Sequence, residues 1–310
     1  MNSAGRVLSE KCFFINKLYW APKREQVSRG EIMYESSWME FRKPEVSGPP
    51  PVVLTMAGSD PSAGAGLQAD LLTLASLGVH GCTAVTALTV QDSVNVRAYT
   101  LVNPENTVAQ ARALLEDMSV QVIKIGMLGS AAMVAAVSAL LADYPQIPVV
   151  LDPVLAAGGG TALAEAGLRE ALVAHMLPQV TVITPNGPEA LILSGADDLP
   201  TAGTWLNRHG AEWVLISGGH GAGPELENRL FHGETMQRTF RQPRLPHRYH
   251  GSGCTLAAAL AAGLAWGVAI EEAVGRALDF THACLAHAYP LGKGQYFPDR
   301  FFWTRGYREE

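Results

Sequence analysis

The chain has 310 residues, 48% of them hydrophobic, and a formal net charge of -6, enough for a sizeable buried core and without a basic footprint for nucleic acid or an anionic membrane surface. Its four cysteines, Cys12, Cys82, Cys254 and Cys284, form no CxxC pair and no Cys/His cluster at zinc spacing, the pattern of a reduced, cytoplasmic protein. No run reaches the roughly 20 apolar residues of a membrane span, and no small-residue cleavage site follows the first apolar patch, so neither a membrane nor export is expected and the partner is expected to be a small molecule.

Residues 1–50 stand apart, with mixed charges and weak periodicity up to the proline cluster "GPPP". They read as an N-terminal extension: a disordered segment, a partner-binding arm, or sequence upstream of a later start at Met33 or Met39. One main domain is expected over 51–295, and residues 296–310 read as a C-terminal tail. Within the domain, compact apolar runs predict strands at 51–58, 81–90, 121–128, 148–154, 180–186 and 211–219. Alanine- and leucine-rich segments predict helices at 65–77, 105–118, 130–142, 162–177, 187–194, 203–209, 253–267 and 271–288. This alternation predicts a three-layer α/β domain with a central, mostly parallel sheet flanked by helices. Ligands of such sheets bind outside the carboxyl ends of the strands, which is where candidate residues are sought.

The first strand ends in "AGSDPSAGAGLQAD", whose Gly58, Gly64 and Gly66 suit either close approach of backbone to a ligand or a turn with a helix cap. It lacks the GK[ST] ending of a phosphate-binding P-loop. Gln91 ends the second strand and Met127 the third; a glutamine can hold a heteroaromatic ring by paired hydrogen bonds and a methionine can pack on its face, while the plain readings are a solvated end and a core residue. Asp152 follows "VVL", and Asn186 and Glu189 follow the next strand; the two carboxylates could hold Mg²⁺ through waters, or Pro153 and Pro185 could end strands and Asn186 cap a helix.

The most informative stretch is "HGSGC" before "TLAAALAAGLAWG". The backbone NH groups of Gly251, Ser252, Gly253 and Cys254 then sit at a helix start, where the dipole favours negative charge, and the same position is expected to lower the Cys254 thiol's pKa and make it a base or nucleophile. Of nine histidines, none in an HxxxH or HxH pattern, only His250 beside this stretch stays open for a functional role.

Taken in order, "AGSDPSAGAGLQADL", "TALTVQDS", "KIGML", "VLDPV", "TPNGPEA", "SGGH" and "HGSGCTL" closely resemble the hydroxymethylpyrimidine/phosphomethylpyrimidine kinases of thiamine biosynthesis, members of the ribokinase-like superfamily. The resemblance spans about Val52 to Leu291 and implies a ribokinase-like fold, commonly dimeric. It implies ATP- and Mg²⁺-dependent phosphorylation of 4-amino-5-hydroxymethyl-2-methylpyrimidine, then of its monophosphate. By the same resemblance Cys254 is the base at the substrate hydroxyl and Gly251, Ser252, Gly253 and Cys254 form the anion hole. Asp70 and Gln91 bind the pyrimidine, Gly58 and Met127 line it, and Asp152, Asn186 and Glu189 serve Mg-ATP.

The chain departs from the family in two places: "SGGH" has Ser217 where the family usually has a lysine reaching the nucleotide phosphates, and the loop "VLAAGGGTAL" after Asp152 lacks the polar residue or lysine often seen there. Arg241, Arg244 and Arg248 are candidates to replace the charge missing at Ser217. A vitamin B6 kinase is the nearest alternative, although many of those carry aspartate at the place of Cys254; a non-catalytic pyrimidine-binding regulator is the alternative of another class.

Overall fold

The computed structural model describes residues 48–155, 167–219, 221 and 223–304, so the expected extension lies almost wholly outside the described residues. Chain order is β1 (Val52–Ser59), α1 (Gly66–Ser76), β2 (His80–Gln91), β3 (Val96–Leu101), α2 (Pro104–Asp117), β4 (Val120–Ile125), α3 (Ala131–Ala142), β5 (Val149–Leu151), α4 (Leu168–Ala171), β6 (Val182–Ile183), α5 (Gly187–Ser194), α6 (Leu199–Arg208), β7 (Trp213–Ile216), β8 (Glu225–His232), β9 (Thr235–Pro243), α7 (Ser252–Ala265) and α8 (Ile270–Ala286).

The strands form one 9-stranded sheet in the order β3-β2-β1-β4-β5-β6-β7-β8-β9. From β2 to β7 every pairing is parallel. β3, β8 and β9 add antiparallel edges that the sequence reading did not contain. Those strands are partly exposed and alternate polar with apolar side chains ("ELENRLFH", "TMQRTFRQP"), so no compact apolar run marks them.

The pleat of the parallel strands divides the core in two. Leu54, Met56, Ile123, Ile125, Leu151, Ile183, Val214 and Ile216 face a layer that includes Met133, Val134 and Val137 of α3 and Leu193 of α5. The alternate residues Val53, Val122, Val150, Val182 and Leu215 face α7 and α8 through Ala257, Leu260, Ala261, Val274 and Ala277. Alanines let α7 lie close against the sheet, and that closeness puts its first turn at the carboxyl ends of the strands.

Side-chain caps set half of the helix starts among the described residues. Asn103, Ser130, Asn186 and Asp198 each accept a backbone NH of the helix that follows, and Asn186 with Glu189 completes a capping box. The Asp198 cap starts α6 at Leu199, ahead of the expected 203. The helix expected over 162–177 begins outside the described residues, and its described part is α4 continued by a π turn at Leu172–Met176. The expected tail does not begin at 296: Phe297, Asp299, Arg300 and Phe302 are buried, so the domain's packing continues past 295. Among the described residues no helix is long and apolar enough to cross a membrane.

Candidate functional site

Because β2 and β4 lie on opposite sides of β1, the sheet reverses its order there, and the crevice at such a reversal is where open α/β sheets bind ligands. Ser59, Met127, Asp152, Asn186 and Ser217 end or follow the strands on this side. α7 begins among them. Its first turn is preceded by Gly251 at φ +76, and no side chain among the described residues caps it, which leaves the NH groups of "SGC" open to a ligand.

The glycines here are required by close approach. A Cβ on Gly251 would stand 2.0 Å from the Gly64 carbonyl oxygen, and one on Gly64 would stand 1.9 Å from His250 Cδ2. Gly66, at φ +59, would place its Cβ 2.3 Å from Gly58 O. Thus the end of β1, the glycine loop and the start of α7 touch through backbone. Gly253 opens onto Asp152, whose carboxylate oxygens lie 3.8 and 3.9 Å from where its Cβ would be.

Beneath this turn lies a buried group of charges. Lys124 Nζ donates to both oxygens of Asp70, each at 2.9 Å, and Thr55 Oγ1 donates to Asp70 Oδ2 at 2.6 Å. All three residues are 0% exposed. This corrects the expectation that Asp70 binds the pyrimidine: its carboxylate is enclosed, and both oxygens are held by protein donors. The missed partner was legible as a lysine inside the apolar run "QVIKIGML", since a charge there requires a buried counter-charge. Its ammonium is held well above the usual lysine range, burial opposing and Asp70, Cys254 and Asp152 outweighing it.

Cys254 also departs from expectation. Its thiol is pushed up to about 12, first by enclosure and then by the carboxylates of Asp152 and Asp70, against the lowering action of Lys124 and the Gly66 NH. The helix start does not outweigh these effects, so the resting thiol is protonated. Part of Cys254 remains exposed, which gives a ligand access to it.

The glycine loop is fixed by the pair Asp60 and His250. Asp60, 0% exposed, accepts hydrogen bonds from Ser62 N, Ser62 Oγ and Ala65 N, each at 2.8 Å, and lies 2.8 Å from His250 Nε2. His250 is therefore a buried partner of the loop. Nearby, Met127 is 7% exposed and packs with Ala87 and Val96; its Sδ would be 3.4 Å from a Cβ on Gly58. Gln91 Nε2 donates to Thr89 Oγ1 at 2.8 Å, and Thr89 Oγ1 donates to Ser59 O at 2.8 Å, which ties the end of β2 to the end of β1.

On the other side of Asp152, Glu189 is 9% exposed and its Oε2 accepts from Asn186 N at 2.9 Å. Burial and then the Asp152 charge raise Glu189 to about 8; Asp152 itself is raised to about 6 by burial, with Lys124 opposing. Two carboxylates that repel each other at a crevice fit a divalent cation. Among the described residues no group of three His, Cys, Asp or Glu side chains could hold a metal by itself.

Ser217 pairs with Asn186 across an isolated bridge at the ends of β6 and β7, and Gly218 N donates to Asn228 Oδ1 at 3.0 Å. Of the three arginines considered for the missing lysine, Arg241 is bound to Glu227 by Nε and Nη2 at 3.2 and 3.1 Å. Arg244 instead donates to Gly219 O at 3.0 Å and Gly223 O at 2.7 Å, on the loop that follows Ser217, and its buried Nη2 has no hydrogen-bond partner among the described residues.

A family model described as phosphomethylpyrimidine kinase matches residues 60–299. A hydroxymethylpyrimidine/phosphomethylpyrimidine kinase of Streptomyces coelicolor is 41% identical over 79% of this chain and 92% of its own length. Among solved structures, an ADP complex of Bacillus subtilis pyridoxal kinase matches with TM-score 0.74 and 32% identity, covering 81% of this chain and 97% of that one. A phosphomethylpyrimidine kinase from Clostridium difficile matches with TM-score 0.67 and 32% identity, covering 76% and 99%.

Proposed function

The chain belongs to the phosphomethylpyrimidine kinase family and is a small-molecule kinase, and from that premise we propose that it carries out both phosphorylations of 4-amino-5-hydroxymethyl-2-methylpyrimidine in thiamine biosynthesis, at the start of α7. The observation that carries the site assignment is the uncapped, glycine-rich first turn of α7 standing over Cys254 and against Asp152 at the reversal of the sheet.

ATP would supply the γ-phosphoryl group, and Mg²⁺ would contribute charge neutralisation. Asp152 would hold the ion, with Glu189 acting through water because its Oε2 already serves the α5 cap. The NH groups of Ser252, Gly253 and Cys254 stabilise negative charge on the transferring group. Gly58 and Met127 flank the pyrimidine ring, and Gln91 meets its polar edge. Cys254 faces the hydroxyl and receives its proton as the new bond to phosphorus forms. That role requires the thiolate, which Lys124 and the Gly66 NH favour against enclosure and the carboxylates of Asp152 and Asp70. Lys124 and Asp70 act from below as a fixed ion pair. Arg244 serves the nucleotide phosphates in place of the lysine absent at Ser217.

We further propose a cytoplasmic homodimer. Leu88 and Val90 project from one face of β2 with 56% and 59% exposure, and a dimer would cover them. The fold does not separate a pyrimidine kinase from a B6 kinase, since solved structures of both match. The distinguishing experiment is competition: purified enzyme with Mg-ATP and equal amounts of hydroxymethylpyrimidine and pyridoxal, products identified by mass. Hydroxymethylpyrimidine phosphate should dominate; dominant pyridoxal phosphate would move the chain to the B6 reading, and no product in protein that still binds pyrimidine would make it a regulator.

A further inference from the structure

We propose that Arg300, close to the C-terminal end of the described residues, is a positioning residue for phosphoryl transfer: its guanidinium holds the glycine loop and the first turn of α7 in one frame, beneath the anion hole. This rests on reading Gly251–Cys254 as that hole.

Arg300 is 4% exposed, far from Gly64 and Thr255 in sequence and joined to both. Its Nη2 donates to Gly64 O at 2.7 Å, and its Nε donates to Thr255 Oγ1 at 3.1 Å. Thr255 Oγ1 in turn donates to Gly251 O at 2.8 Å. One side chain therefore engages, directly or through a single hydroxyl, the carbonyls of Gly64 and Gly251. These are the two peptides that touch most closely at the hole, Gly64 O standing 2.0 Å from where a Cβ on Gly251 would be.

Two physical consequences follow from this placement. A carbonyl oxygen carries partial negative charge and repels an arriving phosphoryl group unless donors engage it; the guanidinium engages Gly64 O, while at Gly251 O the Thr255 hydroxyl adds a second donor to the Thr255 NH at 2.9 Å. In addition, both hydrogen bonds of Arg300 go to neutral oxygens, so its positive charge acts on the anions around it, including Asp70. Lys124 and Arg300 are thus two buried cations near Cys254, and Arg300 is the one tied to the backbone that shapes the hole.

The test uses the full-length enzyme, Arg300→Gln, Thr255→Val and the double variant. Steady-state kinetics are paired with alkylation of Cys254 by anionic iodoacetate and neutral iodoacetamide, followed on the Cys254 peptide by mass spectrometry. For Arg300→Gln, kcat should fall by about ten-fold or more while KM for the pyrimidine changes less than about three-fold, the signature of an interaction that matters in the transition state. The ratio of iodoacetate to iodoacetamide rates should fall by about three-fold or more, because an anion loses attraction to the hole and a neutral reagent does not. Thr255→Val should reduce kcat in the same direction, and the double variant should be no worse than Arg300→Gln, since both act through one chain of hydrogen bonds.

An unchanged kcat, an unchanged alkylation ratio, or losses that multiply in the double variant would each overturn the assignment. If Arg300→Gln does not fold, Thr255→Val decides, and normal turnover there overturns it. The alkylation ratio needs no turnover, so it tests Arg300 even if the parent chain proves not to be a kinase.

Discussion

At the scale of single residues, Cys254 and Asp60 are placed by opposite balances of the same forces. Enclosure and two carboxylates raise the Cys254 thiol, and its value lies in chemistry rather than stability. Replacing it with alanine should lower kcat by about 100-fold or more, the scale on which positioned acid–base groups act, while pyrimidine affinity by calorimetry and Tm stay near the parent values. Near-normal turnover of Cys254→Ala would remove the thiol from the mechanism. For Asp60, burial raises the carboxyl, but hydrogen bonds from His250, Ser62 and Ala65 outweigh it and bring it below its ordinary value. A carboxyl lowered by folding stabilises the native state above its unfolded value near about 4 and loses that contribution as pH falls through the folded value. Asp60→Asn should therefore lower Tm at pH 7 and converge on the parent at low pH. A gap in Tm that stays constant from pH 7 down to pH 3 would contradict this balance.

Elements show which parts of the structure their sequence makes visible. β1, β4 and β5 are buried on both faces, so an apolar run marks each of them. β3, β8 and β9 have no such mark, because their exposed positions take polar residues and their place depends on pairing with a neighbour. The start of α7 is visible because glycines before an alanine-rich helix are local information. Asp70 was misread for the reverse reason: its partner lies 54 residues away, and proximity to a glycine loop says nothing of a side chain pointing into the core. The β6–α5 and β7–β8 connections carry a further consequence. With Ser217 at the bridge to Asn186 and Arg244 on the following loop, Ser217→Lys should tighten ATP binding and Arg244→Gln should raise KM for ATP several-fold with little change in KM for the pyrimidine. Unchanged nucleotide affinity in both variants would place the charge elsewhere.

For the whole molecule, the six strands from β2 to β7 create the crevice, and the antiparallel edges extend the sheet beyond it. The family match begins at Asp60, the first residue of the glycine loop, and ends at Asp299, beside Arg300, so the contacts that close the site join its two extremes. Apolar exposure on one face of β2 is the basis for expecting a dimer, and sedimentation at micromolar concentration should give twice the 33.1 kDa chain mass; a monomer would leave Leu88 and Val90 uncovered. Whether one crevice performs both transfers is the central question, because the second places more negative charge beside Ser217 than the first. The direct measurement is a time course by mass spectrometry, starting from hydroxymethylpyrimidine with excess Mg-ATP. The monophosphate should appear first and then be consumed as the diphosphate accumulates, and a purified monophosphate sample should be converted by the same protein. Monophosphate that accumulates without any diphosphate would contradict the two-step kinase and confine the chain to the first transfer.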